Sequence, residues 1–261
     1  VLTACGSDDI VQYFEYPDHN GLNIGSQLTD LYITNDSNTL IAADKGNNRV
    51  IFIDVSSDVM SIKKTVWVGS EPTSLDMTDD NRYLFVGLLG GSSVSIVNMA
   101  TMTLEGSLAL QEDAVFDIEY LSDKCQLIVS FISTTPGYNK TYVHTWWADQ
   151  DGIWYGPNTS CSYSADPEFV APDIISSESK FIVAPPSIDF ISQAGLLSVS
   201  PDDSYLYILS NLPPQRIFRY EINDDGLSSG ILSSAVVANT GFNFFNDFKY
   251  VNDFGVVVAV D

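Results

Sequence analysis

Short runs of alternating apolar and polar residues, bounded by Gly, Asn, Asp and Ser, recur along most of the chain. Such runs predict half-buried β-strands. Residues 28–42 align without gaps onto residues 72–86, and the same register places residues 50–54 on residues 94–98. The two copies are 44 residues apart. A repeat of this kind predicts the architecture of a chain before any single element is assigned.

Further copies of the repeat begin at Ile118 and Leu197, and a degenerate copy begins at Phe248. A period of about 40 to 45 residues that carries four strands is the spacing of a propeller blade. We therefore expect an all-β fold, a β-propeller of four-stranded antiparallel blades. The second strand of each copy is the most apolar and should be buried between neighbouring blades. These strands are predicted at residues 40–42, 84–86, 127–129 and 206–208.

The copies are unevenly spaced along the chain. The third and fourth are 79 residues apart, so about 35 residues between positions 140 and 192 are extra. They form either an elaborated outer edge of blade three, with residues 180–183 as an added strand, or an eroded blade. Core or blade-edge packing explains the aromatic residues of this stretch better than a ligand platform does. These residues are Trp146, Trp147, Trp154 and Tyr155.

Both ends of the chain bear on how the ring closes. Residues 256–261 have the pattern of a second strand, and residues 10–16 are a candidate closing strand. The repeats account for about five blades, whereas we expect a ring of about six to eight. The chain is therefore predicted to be a C-terminally incomplete fragment of the ring.

Two stretches resemble known propeller repeats. Residues 72–103 are similar to the YVTN-type repeat, whereas residues 44–50 together with Asp54 are more similar to the NHL repeat. Both families form propellers, so both resemblances imply the same architecture.

The first residues carry a different signal. Leu2-Thr3-Ala4-Cys5-Gly6 resembles the bacterial lipobox, in which the Cys is acylated and the signal peptide is cut before it. This resemblance implies a lipid-anchored, extracytoplasmic protein at the outer membrane or cell surface, since several acyl chains anchor a protein without a membrane-spanning helix. The implied segments are a signal-peptide remnant at 1–4, an acylated Cys with tether and N-terminal strand at 5–27, and the propeller at 28–261.

With Cys5 acylated, Cys125 and Cys161 are left. An extracytoplasmic compartment permits them to pair. The sequence leaves both a disulfide and two separate buried thiols open.

Net charge narrows the choice of partners. The chain has 34 acidic and 11 basic residues, a formal charge of −23. Such a charge repels phosphate backbones and anionic headgroups, which argues against nucleic acid as a partner. No apolar run reaches the length of about 18 to 20 residues that a membrane-spanning helix requires.

Local motifs for catalysis, cofactors and metals are missing from the sequence. His19 and His144 lie on unrelated segments without zinc-binding spacing. There is no nucleophile elbow, Walker loop or Gly-x-Gly-x-x-Gly motif, and residues 90–92 occupy a loop of the repeat. Paired carboxylates at 79–80, 202–203 and 224–225 are better explained as solvated turns than as calcium ligands. We therefore expect no catalytic residue, cofactor or metal site.

Loops are the remaining candidates for function, because the loops at one end of a propeller commonly meet the ligand. This predicted loop face carries Asp44, Lys45, Asn47, Asn48, Glu71, Glu112, Asp113, Tyr138 and Asn139. The alternative explanation of these residues is that they cap strand ends. The leading hypothesis is a lipid-anchored binding or scaffolding module for a protein or glycan. The alternative is an extracytoplasmic enzyme, either a lactonase-like hydrolase or a quinoprotein-type oxidoreductase subunit.

We predict that Cys5 carries lipid. A fatty-acid analogue supplied to growing cells should label the wild-type protein but not the Cys5→Ser variant, because serine lacks the thiol that is acylated. Label retained in the variant would contradict the lipid anchor.

Overall fold

The described residues form five antiparallel β-sheets that follow one another along the sequence. A computed structural model describes residues 21–109, 114–121, 126–132, 142–148, 154–155, 182–183, 195–210, 215–223, 226–227, 233–238, 247–251 and 255–259. We refer to the five sheets as blades one to five. Cys5, Cys125, Cys161, His19 and the candidate strand at 10–16 lie outside the described residues.

Blades one and two each have four strands in chain order. Blade one consists of β1 (Leu28–Ile33), β2 (Thr39–Asp44), β3 (Arg49–Asp54) and β4 (Ser61–Trp67), with a one-turn 3₁₀ helix, Lys45–Asn47, between β2 and β3. Blade two consists of β5 (Pro72–Met77), β6 (Tyr83–Leu88), β7 (Ser93–Asn98) and β8 (Thr103–Ala109).

The later blades begin in the same order and differ at their outer strands. Blade three consists of β9 (Ala114–Leu121), β10 (Gln126–Ile132), β11 (Tyr142–Ala148), β12 (Trp154–Tyr155) and β13 (Ile182–Val183). Blade four consists of β14 (Gly195–Val199), β15 (Tyr205–Ser210), β16 (Gln215–Asn223), β17 (Gly226–Leu227) and β18 (Ser233–Ala238). Blade five consists of β19 (Asp247–Val251) and β20 (Gly255–Ala259).

The strands confirm the all-β prediction and the repeat. The four predicted second strands lie within β2, β6, β10 and β15. The described strands of the extra stretch, β12 and β13, lie at the outer edge of blade three, because both pair with β11. The predicted strand at 180–183 contains β13, and the four aromatic residues of this stretch fall on β11 and β12.

The sheets are arranged radially. The first strands of successive blades, β1, β5, β9, β14 and β19, contact one another in that order. Each first strand is also the edge of its own sheet, so its unpaired edge faces the centre of the arrangement. This is the arrangement of a β-propeller, and among the described residues the sheets do not close into a full ring.

Apolar side chains fill the spaces between blades. Alternate residues of a strand point to opposite faces of its sheet, so each blade packs on both neighbours. Leu75 and Met77 face blade one, whereas Phe85 on the neighbouring strand faces blade three. The rings of Phe85 and Tyr120 stack with centroids 4.8 Å apart. Glycine is required at position 87, because a Cβ there would lie 2.5 Å from Ser74 Oγ, inside this interface.

The turn between first and second strands is built the same way in three blades. In blade two, Thr78 Oγ1 donates to Asp80 Oδ1 at 2.7 Å and accepts from the Tyr83 amide at 3.1 Å. Asn81, two residues before Tyr83, adopts a left-handed conformation with φ 57°. Thr34 with Asp36 and Ser200 with Asp202 repeat the hydroxyl–carboxylate bond. The paired carboxylates at 79–80 and 202–203 therefore lie in turns, and 224–225 lie outside the described residues.

Phe85→Asp should lower the free energy of unfolding by more than about 3 kcal/mol, because it places an unpaired charge between two blades. Leu104→Asp is the control, since Leu104 is exposed on the outermost strand. Urea denaturation followed by fluorescence measures both variants. Equal, small losses in the two variants would contradict burial of Phe85 between blades.

Candidate functional site

The inner edge of the ring presents main-chain amides that the sheets do not use. In blade two, the Thr78 amide bonds the Tyr83 carbonyl. Because inward and outward amides alternate along an antiparallel edge strand, the amides of Leu75 and Met77 point away from β6 and toward the axis. Edge amides of this kind need acceptors other than the main-chain carbonyls of their own sheet.

Three aspartates on the first strands supply those acceptors. Asp30 accepts the amide of Leu31 at 2.7 Å and that of Leu75, in the next blade, at 2.6 Å. Each Asp carboxylate thus bonds one amide of its own strand and one of the following blade. We call this arrangement the aspartate clamp.

The clamp recurs at the next two junctions between blades. Asp76 accepts the amides of Met77 and, in blade three, of Tyr120. Asp117 of blade three accepts the amide of Ile118 at 2.9 Å and that of Leu197, in blade four, at 2.7 Å. Three carboxylates therefore join four consecutive blades at the inner wall.

Hydroxyl groups reinforce each clamped junction. Thr29 Oγ1 donates to the Pro72 carbonyl at 2.8 Å, and Thr73 Oγ1 donates to the Val115 carbonyl at 3.4 Å. Both threonines sit at bulges, where the extra residue brings the hydroxyl to the neighbouring blade. Ser130 Oγ bonds the carbonyl of Gly195 at 2.9 Å at the third junction.

A tyrosine lies beside acidic groups of the inner strands. The pKa of the Tyr32 phenol is raised first by burial and then by the charges of Asp76, Asp79 and Glu119. The phenol therefore stays protonated at neutral pH and keeps its capacity to donate a hydrogen bond. Tyr32, Asp76 and Glu119 occupy corresponding positions of the first three blades, two positions along from Asp30 or its counterparts.

The loop face between blades one and two begins at Asp44. Its buried carboxylate accepts from Arg49 Nε at 2.7 Å and from Asn47 Nδ2 at 3.0 Å. Burial by itself raises the pKa of Asp44, but the hydrogen bonds from Asn47 and Arg49 outweigh it and lower the pKa. The group is therefore a fixed anion that holds both partners in place.

Asn48 connects this loop to the following blade. It adopts a left-handed conformation, and its side-chain oxygen accepts the Glu71 amide at 2.9 Å. Lys45 Nζ lies 3.3 Å from a carboxylate oxygen of Glu71. Five of the nine predicted loop-face residues therefore take part in this loop network, which has two bonded groups: Asp44 with Asn47, and Glu71 with Lys45 and Asn48. Glu112, Asp113, Tyr138 and Asn139 lie outside the described residues.

Trp67 lies next to this network and is 65% exposed. It pairs with Arg49 across β3 and β4, and Arg49 pairs with Asp44 across β2 and β3. Directly paired residues share one face of a sheet, so the indole ring and the ion pair lie on the same side of blade one. An exposed indole beside fixed polar side chains suits recognition of a ligand with both apolar and polar groups.

Neither a metal site nor a membrane-spanning helix is present among the described residues. No group of three or more His, Cys, Asp or Glu side chains in these ranges is arranged to hold a metal ion. In that part of the chain, no helix has the length and apolar character needed to span a membrane. His144 falls on β11.

Sequence reasoning missed the aspartate clamp and Trp67. Asp is depleted in strands, so Asp30, Asp76 and Asp117 inside three aligned first strands were a usable signal. The amides that these carboxylates bond in the following blade could not be found that way, because those amides belong to residues 44 to 80 positions later in the chain.

Comparison with known proteins identifies the fold and no family. No protein-family model matches the chain, and no curated protein sequence matches it significantly. A functionally unknown protein from Desulfotomaculum acetoxidans matches with a TM-score of 0.60, at 12% identity, over 92% of this chain and 65% of that one. The β-propeller domain of Myceliophteria thermophila Cps50 (Swd1) matches with a TM-score of 0.60, at 8% identity, over 92% and 68%.

A putative 6-phosphogluconolactonase from Bacteroides uniformis also matches, with a TM-score of 0.55 and 13% identity, over 81% of this chain and 55% of that one. The chain therefore spans about two thirds or less of the lengths of these three structures. Together with the radial sheets, the matches define the chain as a β-propeller protein. The YVTN or NHL type of its repeats stays a prediction.

Replacing Asp117 by Asn keeps the shape of the side chain but replaces one accepting oxygen with an NH₂ group. We expect a loss of about 1 to 3 kcal/mol in the free energy of unfolding, because one buried amide is left without its acceptor. Asp36→Asn is the control, since Asp36 accepts both the Thr34 hydroxyl and the Asn38 amide on one oxygen that Asn retains. Equal losses in chemical denaturation would contradict the clamp.

Proposed function

We propose that this protein is an extracytoplasmic binding module, tethered to the bacterial envelope by a lipid on Cys5, that holds a protein or glycan on its loop face. One observation carries the binding role: the exposed ring of Trp67 lies on the same side of blade one as the ion pair that Arg49 forms with the buried Asp44. Tethering through Cys5 rests on the lipobox resemblance.

The chemistry of this surface favours a glycan over a protein ligand. A flat indole packs against the apolar face of a sugar ring, while neighbouring polar groups bond its hydroxyls. Arg49 and Asn47 provide donors whose positions are fixed by Asp44. A surface that is ordered before binding loses little conformational entropy on binding, which favours affinity.

Charge sets the expected preference among ligands. Because the chain has a net charge of −23, it should bind cationic or neutral ligands more readily than anionic ones. Salt should weaken this preference, because exposed charges are screened beyond about 8 to 10 Å.

An enzyme is the second candidate, either a lactonase-like hydrolase or a quinoprotein-type oxidoreductase subunit. The observation that favours it is the convergence of Tyr32, Asp76 and Glu119 at corresponding positions of three inner strands. Against it, Asp76 is already an acceptor for two main-chain amides. We therefore favour binding without turnover.

A binding experiment can separate the two functions. The lipid-free protein is applied to an array of glycans and envelope proteins, and parallel samples are assayed for lactone hydrolysis and dye reduction. We expect saturable binding to a neutral or cationic glycan, weakened about tenfold in Trp67→Ala because the stacking surface is lost. Trp67→Phe should restore part of the affinity.

Val59→Ala is the matched control, because Val59 is also exposed but lies in the turn between β3 and β4, at the opposite end of the blade. Equal weakening by the Val59 and Trp67 substitutions would contradict a site at Trp67. Turnover that is abolished by Glu119→Gln would replace the binding proposal with the enzyme.

A further inference from the structure

One face of blade one exposes large apolar side chains. Leu31 pairs with Ala42, Ile33 pairs with Leu40, and Ile62 pairs with Ile53 beyond the bulge in β4. These pairs place the six residues on the same side of the sheet, the side that is directed away from blade two. We call this side the open face.

Corresponding positions in blade two are buried. Leu31 is 55% exposed, whereas Leu75, at the same position of the repeat, is 6% exposed. Ile33 is 51% exposed, whereas its counterpart Met77 is 2% exposed. Leu75 and Met77 are buried because they pack on blade one.

The same positions are buried in later blades as well. Ile118 and Tyr120 of blade three pack on blade two, and Leu197 of blade four packs on blade three. A preceding blade therefore covers this part of the first strand in each of these three cases.

The outer strands provide an internal control for this comparison. Ile62 of β4 and Leu104 of β8 occupy corresponding positions, and they are 47% and 40% exposed. Exposure at this outer position is therefore an ordinary property of a blade, even when a preceding blade is present. Exposure of Leu31 and Ile33 on the inner strand is specific to blade one.

The described residues before blade one, 21–27, cover only part of the open face. Leu22 and Ile24 pack against the cluster formed by Ala42, Ile51 and Ile53, on the second and third strands. Leu31 and Ile33, on the first strand, stay exposed.

We propose that a further blade of the same polypeptide packs on the open face, with its apolar side chains covering Leu31 and Ile33. The occupant is a blade because the same repeat positions are covered by a blade at three consecutive junctions. It belongs to the same polypeptide because the two propellers that match 92% of this chain are longer, the chain spanning 65% and 68% of them. Trp67 lies on the same side of the sheet, but on the outer strand β4, where it pairs with Arg49. The inference rests on Leu31 and Ile33 of the inner strand, so it does not depend on the proposed function.

Photo-crosslinking in the complete polypeptide identifies the occupant directly. The photoreactive residue benzoylphenylalanine is introduced as Leu31→benzoylphenylalanine, and the crosslinked peptide is identified by mass spectrometry. We expect an intramolecular crosslink to a peptide outside residues 1–261. The control, with the same residue introduced at Leu104, should give no crosslink to that peptide.

Three results would overturn the proposal. They are a crosslink to a second copy, which yields a product of twice the mass, a crosslink confined to residues 1–20, and the absence of any crosslink at position 31. Hydrogen exchange of the unmodified polypeptide provides a second measurement that needs no substitution. Peptides covering β1 should exchange as slowly as those covering β5, and exchange at least tenfold faster in β1 would also overturn the proposal.

Discussion

Main-chain amides at the inner edge of the blades impose the constraint on which the ring depends. A first strand pairs on one side only, so every second amide points toward the axis without a main-chain acceptor from its own sheet. Carboxylates meet this need well, because an ionised Asp has two oxygens and only accepts. By dividing those oxygens between two strands, Asp30, Asp76 and Asp117 satisfy the edges and join neighbouring blades.

The clamping Asp does not occupy the same position in every first strand, but its position differs by two residues and not by one. Asp30 and Asp117 occupy the same place in their strands, whereas Asp76 lies two residues further along. A shift of two residues keeps the carboxylate on the face of the sheet that meets the following blade, whereas a shift of one would turn it to the opposite face. The apolar interfaces follow the same alternation, so the carboxylates and the apolar core specify one register together.

Features that depend on neighbouring residues could be predicted from the sequence, whereas features that depend on residues far apart in the chain could not. The second strands and the turns at Asp80 and Asp202 were predictable, because their apolar pattern and turn chemistry are local. The clamp was not, since Asp117 bonds an amide 80 residues later. Exposure of Trp67 depends on how β3 and β4 pair, which the composition of β4 does not reveal. Asn48 was singled out as a loop residue, but its bond to the Glu71 amide requires the contact between two blades.

The clamp also has a consequence for the order in which the ring is made. During synthesis the chain leaves the ribosome from its N-terminus, so Asp30 emerges before the amide of Leu75 that it bonds in the next blade. The hairpin turns close within five residues and can form at once, whereas each junction between blades waits for a later segment. The C-terminal end of a growing propeller therefore carries an incompletely bonded inner edge and an uncovered apolar face, and exposed edges and apolar surfaces of this kind are where aggregation begins.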